Sequence, residues 1–208
     1  MASTDSDLRV LTIGHSNHAW EAFEALLRGA GVTALADVRT SPWSRHTPQF
    51  SKTALTERLR QAGIAYVYLG DLLGGRPDKP SLFRDGVADY ERMAEEPAFR
   101  EGLDRVCKGA ETHRIVLMCA EKHPLDCHRC LLVGRRLAER GVQVGHILAD
   151  GQTEPHAVTE AKLLVAVGLD QEDIFESRAD RLNRAYRRHG QKVAFAEVVE
   201  PAEAEPAR

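Results

Sequence analysis

The chain has 208 residues, a length that fits one domain with a substantial core. Its hydrophobic content of 43% and charged content of 28% are close to globular averages and exclude a disordered or fibrous protein. A net charge of −3 argues against bulk electrostatic binding to nucleic acid. The sequence contains no apolar run that could span a bilayer and no signal-peptide pattern in its first residues, so we expect a cytoplasmic protein without membrane contact.

Five short apolar segments predict strands, at residues 8–13, 32–38, 64–69, 115–119 and 142–148. Segments with helical periodicity lie between them, at residues 20–29, 51–62, 87–110 with a break near Pro97, and 127–140. Two further helices are predicted at residues 155–168 and 171–189. We expect a single domain over residues 8–197, with a flexible tail at 1–7 and a disordered tail at 198–208.

The alternation of strands and helices is typical of βαβ units. It predicts an α/β fold: a single three-layer domain with a mainly parallel sheet of about five strands and helices on both faces. Residues 40–50 contain two prolines and no periodicity, which indicates a loop. The glycine-rich residues 70–77 indicate a turn that opens a long irregular connection.

A parallel sheet would bring the polar residues that follow its strands to one edge, where open α/β sheets bind ligands. This edge would carry His15, Ser16, Asp37, Arg39, Asp71, Cys119, Glu121 and His146. Because reactive residue types occur at nearly every strand end, we predict a ligand pocket there.

Residues 116–130 contain most of the reactive side chains of the chain. Cys119, Cys127, His128 and Cys130 are donor types that zinc prefers, but adjacent residues on a helix point about 100° apart. The spacing also lacks a second C-x-x-C pair. We therefore predict no metal ligands, and the sequence indicates no particular cofactor.

Cys119 and Cys127 have two readings that the sequence leaves open. A strand end and a helix N-terminus beside Arg129 favour a reactive thiolate, whereas small side chains at a crowded junction also suit simple packing. The candidate catalytic residues are Cys119 and Cys127 as nucleophiles, with His15 and Glu121 as proton donors and acceptors.

Arg39 and Arg129 are candidate anion clamps, because a guanidinium fork matches phosphate and carboxylate groups. Buried structural pairing, of Arg39 with Glu121 or of Arg129 with Asp37, is the competing interpretation. The predicted ligand-binding set is completed by Ser16, Asp37, His128 and His146.

Arg178, Arg181, Arg184 and Arg188 would form a basic stripe on the last predicted helix. Such a stripe is usually a solvated face, and nucleic-acid contact is the minority interpretation.

A series of motifs resembles one known family, the domain of unknown function 488 family. The motifs are Thr12-Ile13-Gly14-His15-Ser16, Asp37-Val38-Arg39, Leu73-Gly74-Gly75, Cys119-Ala120-Glu121, Cys127-His128-Arg129 and His146-Ile147. The resemblance implies an α/β fold and brings no established reaction, although some members carry a loose DNA-repair label. Cys130 is not part of the pattern.

The leading hypothesis is a hydrolase or group transferase whose pocket binds a small anionic, nucleotide-like or other phosphate-bearing ligand. Two alternatives remain open: a non-catalytic nucleic-acid-associated module that uses the arginine stripe, and a metal-stabilised domain whose cysteines have no chemistry.

Overall fold

A computed structural model describes residues 9–172 and 175–197 of the chain; the predicted tails at 1–7 and 198–208 lie outside these ranges. The strands are β1 (Val10–Gly14), β2 (Ala34–Asp37), β3 (Ala65–Tyr68), β4 (Phe83–Arg84), β5 (Val87–Ala88), β6 (Ile115–Cys119), β7 (Val144–Ile147) and β8 (Thr153–Pro155). The helices are α1 (Trp20–Gly29), α2 (Lys52–Gln61), α3 (Gly70–Leu73), α4 (Tyr90–Glu95), α5 (Pro97–Ala110), α6 (Arg135–Glu139), α7 (His156–Ala166) and α8 (Arg178–Val193). A π-helical segment, Arg129–Gly134, runs directly into α6.

The main sheet has six strands in the order β3-β2-β6-β1-β7-β8, and all of its pairs are parallel except β7 with β8. The connections from β1 to β2 and from β2 to β3 run toward one edge of the sheet. The connection from β6 to β7 crosses β1 and runs toward the other edge. Chain connections therefore leave the neighbouring strands β1 and β6 in opposite directions, and this reversal opens a crevice at their carboxyl ends.

Side chains alternate between two cores because successive strand residues point to opposite faces. Leu11 and Ile13 belong to the core that contains Phe23 of α1 and Leu55 of α2. The other face of the sheet contributes its residues to a core built with α3, α4, α5 and α6. Helices thus cover both faces, and the predicted three-layer α/β fold with a mainly parallel sheet is confirmed.

The five predicted strands all form, and the break between α4 and α5 falls at Glu96, directly before Pro97. The sixth strand, β8, was not predicted, because it has three residues and ends in Pro155, where the sequence indicated a helix start. Proline is tolerated there because β8 is an edge strand. None of the helices within the described ranges combines the length and the apolar character needed to cross a membrane.

The helix predicted at residues 127–140 begins later than expected. Cys127 has an extended backbone, with φ −145° and ψ 141°, and the helical conformation starts at His128. Neighbouring side chains at such a junction do not follow helical geometry. The expected angle of about 100° between Cys127 and His128 assumes that both residues are helical, and it therefore does not apply to this chain.

One buried cation ties three helices together. Arg135 is 6% exposed and pairs with Glu91 of α4, bonds Asn183 of α8 and lies over the Tyr186 ring. Arg135 also pairs with Glu139, and Glu91 also pairs with Arg136, so these charges form a network between α4 and α6.

We expect Arg135→Ala to lower the free energy of unfolding by about 2 kcal/mol, because Asn183 loses its donor and Glu91 loses the more buried of its two cations and keeps only Arg136. Urea unfolding monitored by circular dichroism measures the change. The matched control is Arg60→Ala, which removes an exposed pair with Glu57 on α2. Equal unfolding midpoints for the two variants would contradict the role of Arg135.

Candidate functional site

A cleft of about 350 Å³ lies at the carboxyl ends of β1, β2 and β6, where the connections reverse direction. Its walls come from the loop after β2, the turn after α3 and the end of α8. The lining residues are His15, Arg39, Thr40, Ser41, Trp43, Ser44, Gly75, Arg76, Tyr90, Cys119, Ala120, Glu121, Asp126, Cys127, His128, Val193 and Phe195.

Four reactive side chains meet at this cleft and are called the thiol cluster: Cys119, Glu121, Cys127 and His128. Both cysteine sulfurs lie 2.9 Å from Oε2 of Glu121. Nδ1 of His128 lies 3.6 Å from the Cys119 sulfur and 3.7 Å from the Cys127 sulfur. The cysteines and the histidine are buried, while Glu121 keeps contact with solvent.

The tautomer of His128 follows from its second contact. Nε2 lies 3.0 Å from the carbonyl oxygen of Val38, which can only accept a hydrogen bond, so Nε2 carries a proton. In the neutral ring, Nδ1 then presents its lone pair to the two sulfurs.

The groups of the thiol cluster shift one another's pKa values. Burial, together with the neighbouring Cys127, raises the pKa of Cys119. Burial also raises the pKa of Cys127, but the hydrogen bond from Cys119 and the charge of Arg129 outweigh burial and hold it below its ordinary value. Burial and the Cys127 charge raise the pKa of Glu121. The cluster therefore favours one thiolate, at Cys127, with a shared proton close by.

Burial would lower the pKa of His128, yet the adjacent Cys127 sulfur raises it above its ordinary value. Negative charge on Cys127 thus favours the protonated ring, whose positive charge in turn stabilises that thiolate. Cys127 is in turn the acceptor of the Arg129 backbone N–H, at 3.5 Å.

Arg39 forms its ion pair with Asp37 rather than with Glu121. Its Nε and Nη2 donate to the two oxygens of Asp37 at 2.9 and 2.7 Å, and Nη2 also donates to the Phe50 carbonyl. Nη1 lies 3.1 Å from Nε2 of His15. Because Asp37 is fully buried beneath Arg39, it positions the guanidinium and does not reach the cleft itself.

Both ring nitrogens of His15 have partners. Nδ1 donates to the Ser16 carbonyl at 2.8 Å, and Nε2 accepts from Arg39. Burial lowers the pKa of His15 to about 4. The ring also stacks on Phe50, with centroids 4.5 Å apart. This arrangement orients Arg39 and leaves His15 no free nitrogen for proton transfer. Ser16 itself is half-buried and lies outside the set of residues that line the cleft.

Arg129 lies behind the thiol cluster and is fully buried. It donates to the carbonyl oxygens of Glu121 at 2.7 Å and of Lys122 at 3.1 Å, so the predicted pairing with Asp37 is wrong. A cleft ligand cannot contact this guanidinium. Arg129 shapes the loop after β6 and places a positive charge beside the cysteines.

His146 was expected at the cleft but lies in a second buried group. Its Nδ1 bonds the Thr12 hydroxyl at 2.8 Å, and its Nε2 bonds Nδ1 of His156 at 2.9 Å. The Cys130 sulfur is 3.7 Å from the same Nε2. Strand β7 is separated from β6 by β1, and the His146 side chain points into the domain rather than toward the sheet edge.

Glycines allow the turn after α3 to pack against the cleft wall. A Cβ on Gly75 would lie 2.6 Å from the His128 ring, and a Cβ on Gly74 would lie 2.4 Å from the Thr40 hydroxyl. The absence of a side chain at these two glycines therefore lets the turn lie close to His128 and Thr40.

Sequence reasoning missed Arg76, which this turn brings to the cleft. The glycine pair that precedes Arg76 was the available signal. Asp71, by contrast, lies outside the set of cleft-lining residues.

The four arginines of α8 do not form one free basic stripe. Arg181 is 7% exposed and bonds the Gln171 carbonyl, Arg184 pairs with Glu176, and Arg188 bonds the Val167 carbonyl. Arg178 lies 3.9 Å from Glu160. The expectation of an exposed stripe that includes Arg181 is therefore wrong, because that residue anchors α8 to the domain.

The fold and site define an α/β protein with a thiol-lined cleft at the switch point of a parallel sheet. A family model described as domain of unknown function DUF488 matches residues 19–135. This match covers more than half of the chain, so the protein belongs to that family. Comparisons with curated proteins and with solved structures gave no significant match.

The first prediction for the site concerns Gly14, the last residue of β1. A Cβ there would lie 1.8 Å from the Glu121 carbonyl oxygen, so Gly14→Ala forces the loop after β6 away. We expect a loss of about 3 kcal/mol in unfolding free energy, measured by urea denaturation. Gly29→Ala, where a Cβ meets nothing within 4 Å, should not destabilise the chain. A fully stable Gly14→Ala variant would contradict this close approach.

The second prediction concerns acid stability. Burial lowers the pKa of both His15 and His156 to about 4, whereas an unfolded histidine titrates near ~6.5. Between these values the unfolded chain binds more protons, so stability present above pH ~6.5 is lost as the pH falls. The loss at pH ~5 is about 2 kcal/mol for each histidine.

Urea unfolding at pH ~7.5 and ~5 measures this loss. His156→Gln should reduce the difference between the two pH values by about 2 kcal/mol. His113→Gln, at an exposed position, is the matched control. An identical pH dependence for the parent and His156→Gln would contradict the assignment.

Proposed function

We propose that the cleft is the active site of a hydrolase or group transferase that acts on a nucleotide or another phosphate-bearing ligand. The observation that carries the proposal is the composition of the cleft. Guanidinium groups and hydroxyls line the walls of a cleft that also holds the thiol cluster. A phosphate group bound by the walls would stand beside side chains able to transfer protons.

Arg39 supports anion binding through its unused donor. A guanidinium has five N–H donors, and the four bonds to Asp37, Phe50 and His15 leave one N–H of Nη1 for the cleft. Arg76 is exposed at the rim and lies over the Phe195 ring at 5.0 Å. The hydroxyls of Ser41 and Ser44 line the same wall and can donate to phosphate oxygens.

Trp43 supports a ligand with a planar ring. Its side chain lines the cleft and is 64% exposed, so it does not pack back onto the domain. An exposed indole at a cleft rim offers a stacking face to a nucleobase. This feature favours nucleotides over simple phosphate esters.

Glu121 is the proposed acid and base of the site. It contacts both sulfurs and solvent, and burial together with the Cys127 charge raises its pKa, which favours a group that can donate as well as accept a proton. His15 takes the role of a positioning residue, because Arg39 and the Ser16 carbonyl occupy both of its nitrogens.

A thermal-shift panel of nucleotides, sugar phosphates, inorganic phosphate and short oligonucleotides tests the proposal, since a ligand that binds only the native state raises Tm. We expect the largest shift from a nucleotide. Trp43→Ala should weaken its binding about tenfold through lost stacking. Arg76→Gln should weaken all phosphate ligands, while Arg60→Gln on α2 serves as the control.

A panel without any shift would contradict the proposal. A shift from oligonucleotides alone would instead favour the nucleic-acid-associated module, to which the exposed Arg178 and Arg184 could contribute. In that case the shift should fall steeply with added salt.

A further inference from the structure

We propose that Cys119, Cys127 and His128 bind a zinc ion whose fourth position opens into the cleft and holds a water molecule. Two thiolates and an imidazole are ligands that Zn²⁺ prefers, and three protein ligands with one open position are typical of catalytic zinc. The catalytic part of this inference rests on the proposed function, whereas zinc binding stands by itself.

The distances within the thiol cluster fit this ion. Zinc bonds of about 2.3 Å to sulfur and 2.0 Å to nitrogen, at tetrahedral angles, place sulfur and nitrogen about 3.5 Å apart. The observed distances from His128 Nδ1 to the sulfurs are 3.6 and 3.7 Å. All the donor atoms of the cluster lie within 4.8 Å of one another. The three proposed ligands therefore need little movement to bind the ion.

The surroundings of His128 provide a second, independent argument. Metal-bound histidines commonly donate their other ring N–H to a carbonyl or carboxylate, which fixes the tautomer. Nε2 of His128 donates to the Val38 carbonyl at 3.0 Å, so Nδ1 is the nitrogen left for a metal. Gly75 packs against this ring and restricts its rotation.

The charges around the cluster provide a third argument. Arg129 is fully buried, its guanidinium donates to two carbonyl oxygens, and the negative charge that faces it is that of the Cys127 sulfur rather than of a carboxylate. A buried cation without an anionic partner is costly. Two thiolates, the Glu121 carboxylate, Arg129 and a divalent cation together carry no net charge. A metal thus lets both cysteines ionise beside Arg129 in a balanced site.

Glu121 is not placed as the fourth ligand. Its Oε2 lies 2.9 Å from both sulfurs, closer than the roughly 3.6 Å between two tetrahedral ligands. Its exposure leaves it free to swing toward the cleft when the cysteines ionise. Zinc deaminases use the same kinds of group: His/Cys/Cys zinc ligands with a glutamate that is not a ligand.

In the proposed step, Glu121 accepts a proton from the zinc-bound water. The resulting hydroxide forms a bond to the electrophilic atom of the ligand, and the bond from that atom to the leaving group breaks. Glu121 returns its proton to the leaving group. The step consumes one water, and no atom of the cluster changes oxidation state.

The second buried group is a less suitable metal site. Cys130, His146 and His156 also lie within ligand distance of one another. However, Nε2 of His146 and Nδ1 of His156 are 2.9 Å apart, the length of a hydrogen bond between them. The outer nitrogens bond Thr12 and Tyr186, which completes a hydrogen-bonded chain. Cys130 therefore serves as the matched control for Cys127.

The test is the zinc content and zinc affinity of the full chain. We expect one zinc per chain after purification without chelator, and recovery of one zinc by titration after chelator dialysis. Cys119→Ser, Cys127→Ser and His128→Gln should each weaken zinc binding at least about a hundredfold, since each removes a ligand. Cys130→Ser and the more distant Cys107→Ser should bind like the parent chain, and Glu121→Gln should also retain the metal.

A measurement on the parent chain covers the case in which ligand variants do not fold. Zinc should protect Cys119 and Cys127 from alkylation by N-ethylmaleimide, as read by mass spectrometry, without changing the labelling of Cys107. Cobalt(II) in place of zinc should give a thiolate-to-cobalt charge-transfer band.

A chain that neither contains nor binds zinc would overturn the inference, as would loss of zinc in Cys130→Ser but not in Cys127→Ser. Loss of zinc in Glu121→Gln would show that Glu121 is itself a ligand, and it would contradict a fourth position that is open to water. A metal-free chain that still shows a nucleotide shift refutes the zinc site alone. A zinc-bound chain without any ligand shift refutes the proposed ligand class alone.

Discussion

The buried guanidinium of Arg129 is the constraint on which the site depends. It donates to the carbonyls of Glu121 and Lys122, and so draws the loop after β6 back over the end of β1. That path is open only because Gly14 has no side chain, since a Cβ there would overlap the Glu121 carbonyl. The loop then returns through Pro124 to the extended residue Cys127, whose sulfur faces Cys119 and Glu121. One buried cation and one glycine thus assemble the thiol cluster.

The opposite wall is built by a comparable arrangement in which the buried charges compensate each other. Asp37, fully buried at the end of β2, holds Arg39 by two oxygens, and His15 stacks on Phe50 while it accepts from Arg39. The guanidinium of Arg39 is therefore fixed at the cleft with its charge balanced. Arg129 has no carboxylate partner of this kind. Negative charge on the nearby cysteines therefore compensates its buried positive charge. The two arginines therefore have different electrostatic roles.

Much of the fold could be predicted because apolar runs and helical periodicity are local signals, and all five parallel strands follow them. The sheet edge could also be predicted, since polar residues after parallel strands converge there. Two features of the site could not be predicted from the sequence. His146 satisfies the same rule but points inward to His156, an outcome set by packing of α7. The convergence of Cys127 and His128 depends on one extended residue at a helix start, and helix boundaries are poorly specified by sequence.

The positions of Cys119 and Cys127 also limit the chemistry that their sulfurs can perform. Cys119 and Cys127 are almost fully buried, at 3% and 2% exposure, and Glu121 lies within 2.9 Å of both sulfurs. A ligand in the cleft would have to displace Glu121 before either sulfur could attack it. A metal held by Cys119, Cys127 and His128 would supply a reactive water without any attack by sulfur. Burial thus disfavours a cysteine nucleophile and agrees with the proposed role of the cysteines as zinc ligands.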